Sequence, residues 1–220
     1  MDESDEAAAT DAAQSSQEGG DQTVERPVGS DVGTLGVEGP DDDAQSVLDF
    51  WFGELTPRQW FAKDDRVDAA IAERFATLTA RVATGAMPHW AGSPGGLLAA
   101  VIVLDQFPRN LYRDDPRAYA TDDQARALAD EAIERGLDRG MSARARQFLY
   151  MPFMHSEAPE DQARCVDLFA TLEDPDALWF AERHKEIVDR FGRFPHRNKV
   201  LGRETTAEEA AFLKEPNSAF

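Results

Sequence analysis

The sequence predicts an all-α protein in which helical hairpins surround a central apolar helix, with a disordered acidic tail before them. Three observations predict this fold class. Apolar residues after position 44 recur at the spacing of one helix face, residues typical of helix starts and ends flank those stretches, and no alternating run or Asn-Gly turn indicates paired strands. We therefore predict a tail over residues 1–43 and a single helical domain over residues 44–220.

The tail is set apart by its charge. Residues 1–46 hold thirteen acidic side chains and one basic side chain, and all twenty aromatic residues lie at or after Phe50. Such a segment cannot bury enough apolar surface to offset an ordering cost of roughly 1–2 kcal/mol per residue. Disorder is one interpretation of this composition, and an interaction or inhibitory tail is the other.

The overall composition excludes several classes of protein. A net charge of -19 argues against binding of bulk nucleic acid, and Cys165, the single cysteine, cannot form an internal disulfide. No signal peptide and no apolar run long enough for a membrane span is present, so we expect a cytoplasmic protein with no membrane association. Nineteen arginines against four lysines, among many acids, resemble the proteins of salt-accumulating microbes. A GC-rich genome explains the arginine excess equally well.

The first two long helices follow from apolar spacing. The second of them, over residues 95–106, is apolar nearly all round, which predicts that it lies in the centre of the fold. Ser93 and Pro94 supply its N-cap and its first-turn proline. The helix before it carries one apolar stripe, formed by Val67, Ile71, Phe75, Leu78 and Val82.

The later helices are predicted from their start signals. Thr121 with Gln124 and Thr206 with Glu209 have the pattern of a capping box. The middle pairs recur with a period near 34 residues, which is typical of tetratricopeptide repeats. Repeat-like packing and a compact helical bundle both satisfy this pattern. The predicted helices begin near residues 122, 143, 159, 176 and 207.

Two Phe-Pro segments, residues 105–110 and 193–198, resemble each other as helix exits because proline disfavours helical geometry in the residue before it. Simple capping of the helix ends by arginine is one interpretation. The other is that both exits face one cleft and offer guanidinium and amide groups to an anion. This second interpretation nominates as ligand-binding residues Asp105, Arg109, Asn110, Arg193, Arg197 and Asn198.

A further candidate lies at Pro152, inside the helix predicted to begin near Ser142. Proline within a helix removes a backbone donor and causes a kink, and Tyr150, His155 and Glu157 surround this point. The kink indicates either a polar pocket or a helix that ends early. We add Tyr150 to the ligand-binding set. The candidates for acid and base chemistry are His155, Glu157 and His196.

Residues 183–203 carry seven bases and two acids, a local excess of positive charge in an acidic chain. The segment is either an ion-paired surface or an anion site. His184 lies on the apolar stripe of its helix, which favours a buried core histidine over a catalytic one. The spacing from His155 to Glu157 has no accompanying ligand motif, so we predict no metal site, and the sequence identifies no cofactor.

Several long strings in the chain resemble the prokaryotic family catalogued as domain of unknown function 924. The similarity covers roughly residues 46–220 and implies an all-helical, tetratricopeptide-like fold, which favours repeat-like packing. It implies no activity and no catalytic residues. The strings are VLDFWFG (47–53), LLAAVIVLDQFPRNLYR (97–113), YMPFMHSE (150–157) and HKEIVDRFGRFPHRNKVLGRETTAEEAAFL (184–213).

We therefore expect a helical protein that binds a small anionic ligand or an acidic peptide in a polar cleft. The alternative is an enzyme that carries out hydrolase-like acid/base chemistry on an anionic substrate with its histidine, glutamate and arginine cluster. Convergence of the nominated residues on one pocket would favour a small-molecule site, whereas dispersal to opposite ends of the fold would remove it.

Overall fold

A computed structural model describes residues 41–218 of the chain, and every regular element in that range is helical. The predicted all-α class is therefore confirmed. The predicted tail lies outside the described residues except for its last three, which cap and begin the first helix. The α-helices are α1 Asp42–Leu48, α2 Pro57–Phe61, α3 Asp65–Ala83, α4 Pro94–Val101, α5 Phe107–Leu111, α6 Asp122–Glu134, α7 Ala143–His155, α8 Pro159–Ala170, α9 Pro175–Phe191 and α10 Ala207–Phe212.

Helix α4 occupies the centre of the fold, as its apolar sequence predicts. All its residues are buried, and it packs against α1, α6 and α7. The Ser93 hydroxyl accepts a hydrogen bond from the Gly96 amide at 3.1 Å, which caps the helix. A Cβ atom on Gly96 would lie 2.3 Å from the carbonyl oxygen of Trp90, so only glycine allows this close approach.

Helix α6 packs against α7, α7 against α8, and α8 against α9. Contact between successive helices is common to repeat stacks and to bundles, so the tetratricopeptide-like arrangement stays a prediction. A second, smaller core lies between α9, the turn after it and α10. It consists of Ile187, Val188, Phe194 and Phe212.

The helix that contains α4 does not end at Phe107-Pro108, so that part of the sequence prediction is wrong. The chain passes through a π-helical segment, Ile102–Gln106, in which the amide of Phe107 donates to the carbonyl of Ile102, and it then continues as α5. Pro108 has no amide hydrogen to donate to the carbonyl four residues earlier. The hydroxyl of Thr121 donates to that carbonyl, on Leu104, at 2.6 Å instead. The side chain of the residue before α6 thus satisfies the acceptor that proline leaves open.

The prediction of a capping box at Thr121 and Gln124 is wrong. The Thr121 side chain bonds to Leu104 and makes no cap hydrogen bond to α6. The capping box of Thr206 with Glu209 is confirmed. Pro152 lies inside α7, as predicted, and α7 continues to His155. Among the helices described here, none is long and apolar enough to cross a membrane.

Candidate functional site

Asp105 and His155 form a hydrogen-bonded pair in the interior. Asp105 lies in the π-helical segment that follows α4, and His155 is the last residue of α7. Packing of α4 against α7 brings together these two residues, fifty positions apart in sequence, so that Nδ1 of His155 is 2.8 Å from Oδ1 of Asp105. The carboxylate is completely buried, whereas the imidazole side chain is 16% exposed.

Two neighbours on the same continuous helix hold the Asp105 carboxylate. The amide of Gln106 donates to Oδ2 at 2.5 Å, and Nη1 of Arg109 lies 3.5 Å from Oδ1. Arg109 also donates to the backbone carbonyl of Asp105. Its two terminal nitrogens then reach Asp122 on α6 at 2.9 and 3.0 Å. Arg109 therefore joins two carboxylates, one fully buried and one at the edge of the site.

The charges of this group fix the protonation of the histidine. Burial alone would raise the pKa of the Asp105 carboxyl, but Arg109 and His155 lower that pKa by more than burial raises it. The pKa therefore lies well below its usual range, and Asp105 is ionised. Burial, and then the charge of Arg109, lower the pKa of His155, against the opposing effect of Asp105. His155 is thus neutral at pH 7, and the contact with a carboxylate assigns its hydrogen to Nδ1. Among the described residues, no group donates to its Nε2, which remains a base.

A second arginine completes the site from the 3-10 turn Pro195–Arg197. Nη1 of Arg197 is 3.9 Å from Asp122, a long ion pair for a side chain that is 8% exposed. Its Cζ lies over the ring of Tyr119 at 4.8 Å and over the ring of Phe194 at 4.6 Å. Burial, and then repulsion from Arg109, lower its pKa to about 10, so it keeps its charge at pH 7. Asp122 thus links Arg197 to Arg109 and so to the Asp105–His155 pair.

Several buried polar atoms beside Arg197 have no hydrogen-bond partner within the described chain. They are Nδ1 of His196, Nε of Arg197, Oδ1 of Asn198 and Nε of Arg203. Burial, and then Arg197, lower the pKa of His196 to about 4, so this imidazole is neutral at pH 7. Unpaired buried donors and acceptors are costly, and they require water or a ligand as partner. All four atoms belong to residues 196–203, so the unsatisfied groups are concentrated at the 3-10 turn and just after it.

Glu157 lies next to this turn but is committed to holding it. Its carboxylate accepts two hydrogen bonds from Arg203, at 2.6 and 2.9 Å, and one from the amide of Phe194 at 2.8 Å. Burial raises its pKa, but these donors outweigh burial and lower it overall. Arg193 forms a similar fork with Glu209, at 2.6 and 2.9 Å. Both pairs fasten the turn to its neighbours and leave these groups engaged.

Two other nominated residues make their polar contacts elsewhere. The hydroxyl of Tyr150 donates to Asp138 at 2.6 Å, at the 3-10 turn between α6 and α7. Burial and that carboxylate raise the pKa of Tyr150 far above its usual range. The amide of Asn110 donates to Asp68, on α3, at 2.8 Å. The structure thus brings together Asp105, Arg109, His155 and Arg197, with His196 and Asn198 beside them, while Tyr150 and Asn110 bind other segments.

The basic segment 183–203 is largely paired with the chain's own carboxylates, which supports its interpretation as an ion-paired surface. His184 lies buried in it, with Nδ1 2.7 Å from the carbonyl of Phe180 and its ring against Phe194, as predicted for a core histidine. The pairs are Arg183 with Glu186, Lys185 with Asp189, Arg190 with Glu208, Arg193 with Glu209, and Arg203 with Glu157.

Three residues of the site were not predicted. Asp122 has only the signal of an acidic residue in the first turn of a helix, which is common in any capped helix. Tyr119 and Gln106 have no local signal at all.

A groove of about 420 Å³ lies elsewhere, between the start of α7 and the loop before α9. It is lined by residues 142–144, Gln147 and residues 172–175 and includes none of the paired groups described above. Within residues 41–218, no cluster of three His, Cys, Asp or Glu side chains has a geometry that could hold a metal ion.

The chain is similar to a known family and to a solved structure. The model of a family of bacterial proteins of unknown function, DUF924, matches residues 47–217. A solved structure of a protein of unknown function from Agrobacterium tumefaciens is similar to this chain, with 43% identity and a TM-score of 0.75. The similarity covers 78% of this chain and 96% of that one. No curated protein matches significantly. The resemblance inferred from the sequence is confirmed, and the chain belongs to the DUF924 family.

Proposed function

We propose that this protein binds a small anionic molecule at Arg197, beside the Asp105–His155 pair. The observation that carries the proposal is the state of Arg197. It is a charged guanidinium, 7% exposed overall, and among the described residues its one ion pair, with Asp122, is 3.9 Å long and its Nε has no acceptor. A buried charge is stable when it is paired at short range and fully hydrogen-bonded. An anion from solution would supply the missing partner.

A small ligand accounts for the site better than an acidic peptide does. The basic side chains at the surface of residues 183–203 are largely occupied by the chain's own carboxylates, as described above. An acidic peptide would have to compete with each of those pairs. The unsatisfied groups are instead buried at one turn, which suits a ligand small enough to be enclosed.

A second candidate function is catalysis of acid/base chemistry on the bound anion. The Asp105–His155 pair favours it, because a buried carboxylate at Nδ1 fixes the histidine tautomer and leaves Nε2 as a proton acceptor. The same arrangement orients histidine bases in hydrolases. In this candidate function His155 is the base, while Glu157, bound by Arg203 and Phe194, serves structure.

Isothermal titration calorimetry tests the binding function. The full chain is titrated with inorganic phosphate, acetate, citrate and a nucleoside monophosphate at low ionic strength. We expect one of these anions to bind the native protein, and Arg197→Lys to weaken that binding at least about tenfold, as loss of a charge-assisted hydrogen bond does. Arg190→Lys is the matched control, because Arg190 pairs with Glu208 on the surface. Absence of binding by all four anions, or equal binding by Arg197→Lys, refutes the proposal.

The catalytic candidate has a separate test. Hydrolysis of chromogenic phosphate and carboxylate esters is measured across pH 5–9 for the native chain and for His155→Gln. Catalysis is supported if the turnover of the native chain rises with pH as a base loses its proton. It also requires that His155→Gln has no turnover but still binds the anion. Anion binding without any turnover leaves the binding function alone.

A further inference from the structure

We propose that the anion bound at Arg197 is a carboxylate, held side-on by the Nε and Nη2 groups of the guanidinium. This inference rests on the proposed binding function and specifies its ligand class. Three features of the described residues carry it: the edge of Arg197 that is free, the use of that edge elsewhere in the chain, and the balance of charge around it.

The free edge is identified by the contacts of Arg197. In a guanidinium, the Nε hydrogen and one Nη2 hydrogen point the same way and form a fork that matches the two oxygens of a carboxylate. Asp122 approaches Nη1, on the other side, at 3.9 Å. Nε is buried and has no acceptor among the described residues. Nε, one half of the side-on fork of this arginine, therefore lacks a partner within the described chain.

The chain uses this fork repeatedly for its own carboxylates. Four arginines in the described residues donate from both Nε and Nη2 to the two oxygens of one acidic side chain, at distances between 2.5 and 3.2 Å. The same geometry at Arg197 would complete its hydrogen bonding. The four pairs are Arg66 with Asp64, Arg113 with Asp68, Arg117 with Asp115, and Arg193 with Glu209.

Two other arginines have an unpaired buried Nε, and they define the controls. Arg203 already binds Glu157 through both terminal nitrogens, so its charge is matched. Arg146 lies beside Tyr150, whose hydroxyl is held by Asp138, and not beside the Asp105–His155 pair. Arg197 differs from both because it is a buried residue, whereas Arg146 and Arg203 are partly exposed, and because its ion pair with Asp122 is long.

Charge balance favours a monoanion over phosphate. Arg109 and Arg197 carry two positive charges, and Asp105 and Asp122 carry two negative ones, while His155 is neutral. A carboxylate adds one negative charge to this balanced group, whereas a phosphate dianion adds two. The dianion also loses more hydration on burial, and Arg197 is 7% exposed. The rings of Tyr119 and Phe194, over which the guanidinium lies, add to the desolvation of the site.

NMR of the arginine Nε–H resonances tests this inference directly. The full chain is titrated with sodium acetate and, separately, with inorganic phosphate, at constant ionic strength set by sodium chloride. We expect the Arg197 Nε–H resonance to move saturably with acetate and to be at least about fivefold less sensitive to phosphate. Arg197→Lys should remove the acetate response at neighbouring backbone amides, and Arg146→Lys should leave it unchanged.

The outcomes separate the two proposals. Saturable binding of phosphate at Arg197 without binding of acetate overturns the carboxylate inference and leaves the proposed function standing. No response at Arg197 to either anion overturns both. An acetate response that persists in Arg197→Lys, or disappears in Arg146→Lys, also overturns the inference. The native titration gives its answer even if a variant fails to fold.

Discussion

Replacement of Asp105 by asparagine tests whether a buried charge pair holds the site together. The variant keeps the size of the side chain and removes the negative charge that Arg109 and His155 both face. Loss of one partner of a buried pair typically costs about 3–5 kcal/mol. Arg109 retains its fork with Asp122, at 2.9 and 3.0 Å, so we expect the lower end, about 3 kcal/mol. In a domain of this size that corresponds to a fall of about 6–12 °C in Tm.

The same variant should change the titration of His155. Asp105 raises the pKa of His155, in opposition to burial and to Arg109, so its removal should lower that pKa further. Urea denaturation gives the loss of stability, and the ¹⁵N shifts of the imidazole give the titration. Asp115→Asn, which affects a surface pair with Arg117, is the control and should leave Tm unchanged. A loss below about 1 kcal/mol together with an unchanged His155 titration would refute the buried pair.

Three further predictions concern stability. Tyr150→Phe removes the hydroxyl that donates to Asp138 at 2.6 Å. We expect urea denaturation to show a loss of about 2 kcal/mol in the free energy of unfolding, with anion binding unchanged. Weakened anion binding would show that Tyr150 contributes to the site. Gly96→Ala places a Cβ 2.3 Å from a backbone oxygen and should lower the free energy of unfolding by about 1–3 kcal/mol. At Gly53 a Cβ would have nothing within 4 Å, so Gly53→Ala should change it by no more than about 0.5 kcal/mol. Equal effects of the two variants would contradict the close approach at Gly96. Burial, as the main cause, lowers the pKa of His184 from 6.5 to about 3, so its contribution to stability is complete above pH 6.5 and is lost as the pH falls toward 3. The fall of Tm between pH 7 and pH 5 should be smaller in His184→Gln, and an identical pH profile would contradict this.

Most of the helices could be predicted because their signals are local. The cap at Ser142, the capping box at Thr206 and the proline that begins α9 each act within one turn of helix, and the structure has all three. The prediction that a helix ends at Phe107-Pro108 is wrong, and the reason is a contact between residues distant in sequence. The carbonyl that proline leaves open is satisfied by Thr121, seventeen residues after Leu104, and that compensation leaves no trace in the local sequence.

The sequence predicts only those site residues that have a local signal. Polar residues beside prolines are unusual in an apolar helical core, and this local signal predicts as site residues Asp105, Arg109, His155 and Arg197. Their partner Asp122 could not be identified, since it meets Arg109 only after α6 packs against the segment that follows α4. Tyr150 is the converse case. Its hydroxyl is close in sequence to Pro152 but donates to Asp138, on the preceding turn.

The proposed function requires that the fork of Arg197 binds an anion from solution. Two crystal structures of the protein, both grown without carboxylates and one soaked in sodium acetate, test it most directly. We expect planar density for acetate beside Arg197 in the soaked crystal, with its two oxygens within hydrogen-bond distance of Nε and Nη2. Absence of acetate from Arg197 at saturating concentration, or a fork filled by a side chain of the protein itself, would contradict the account.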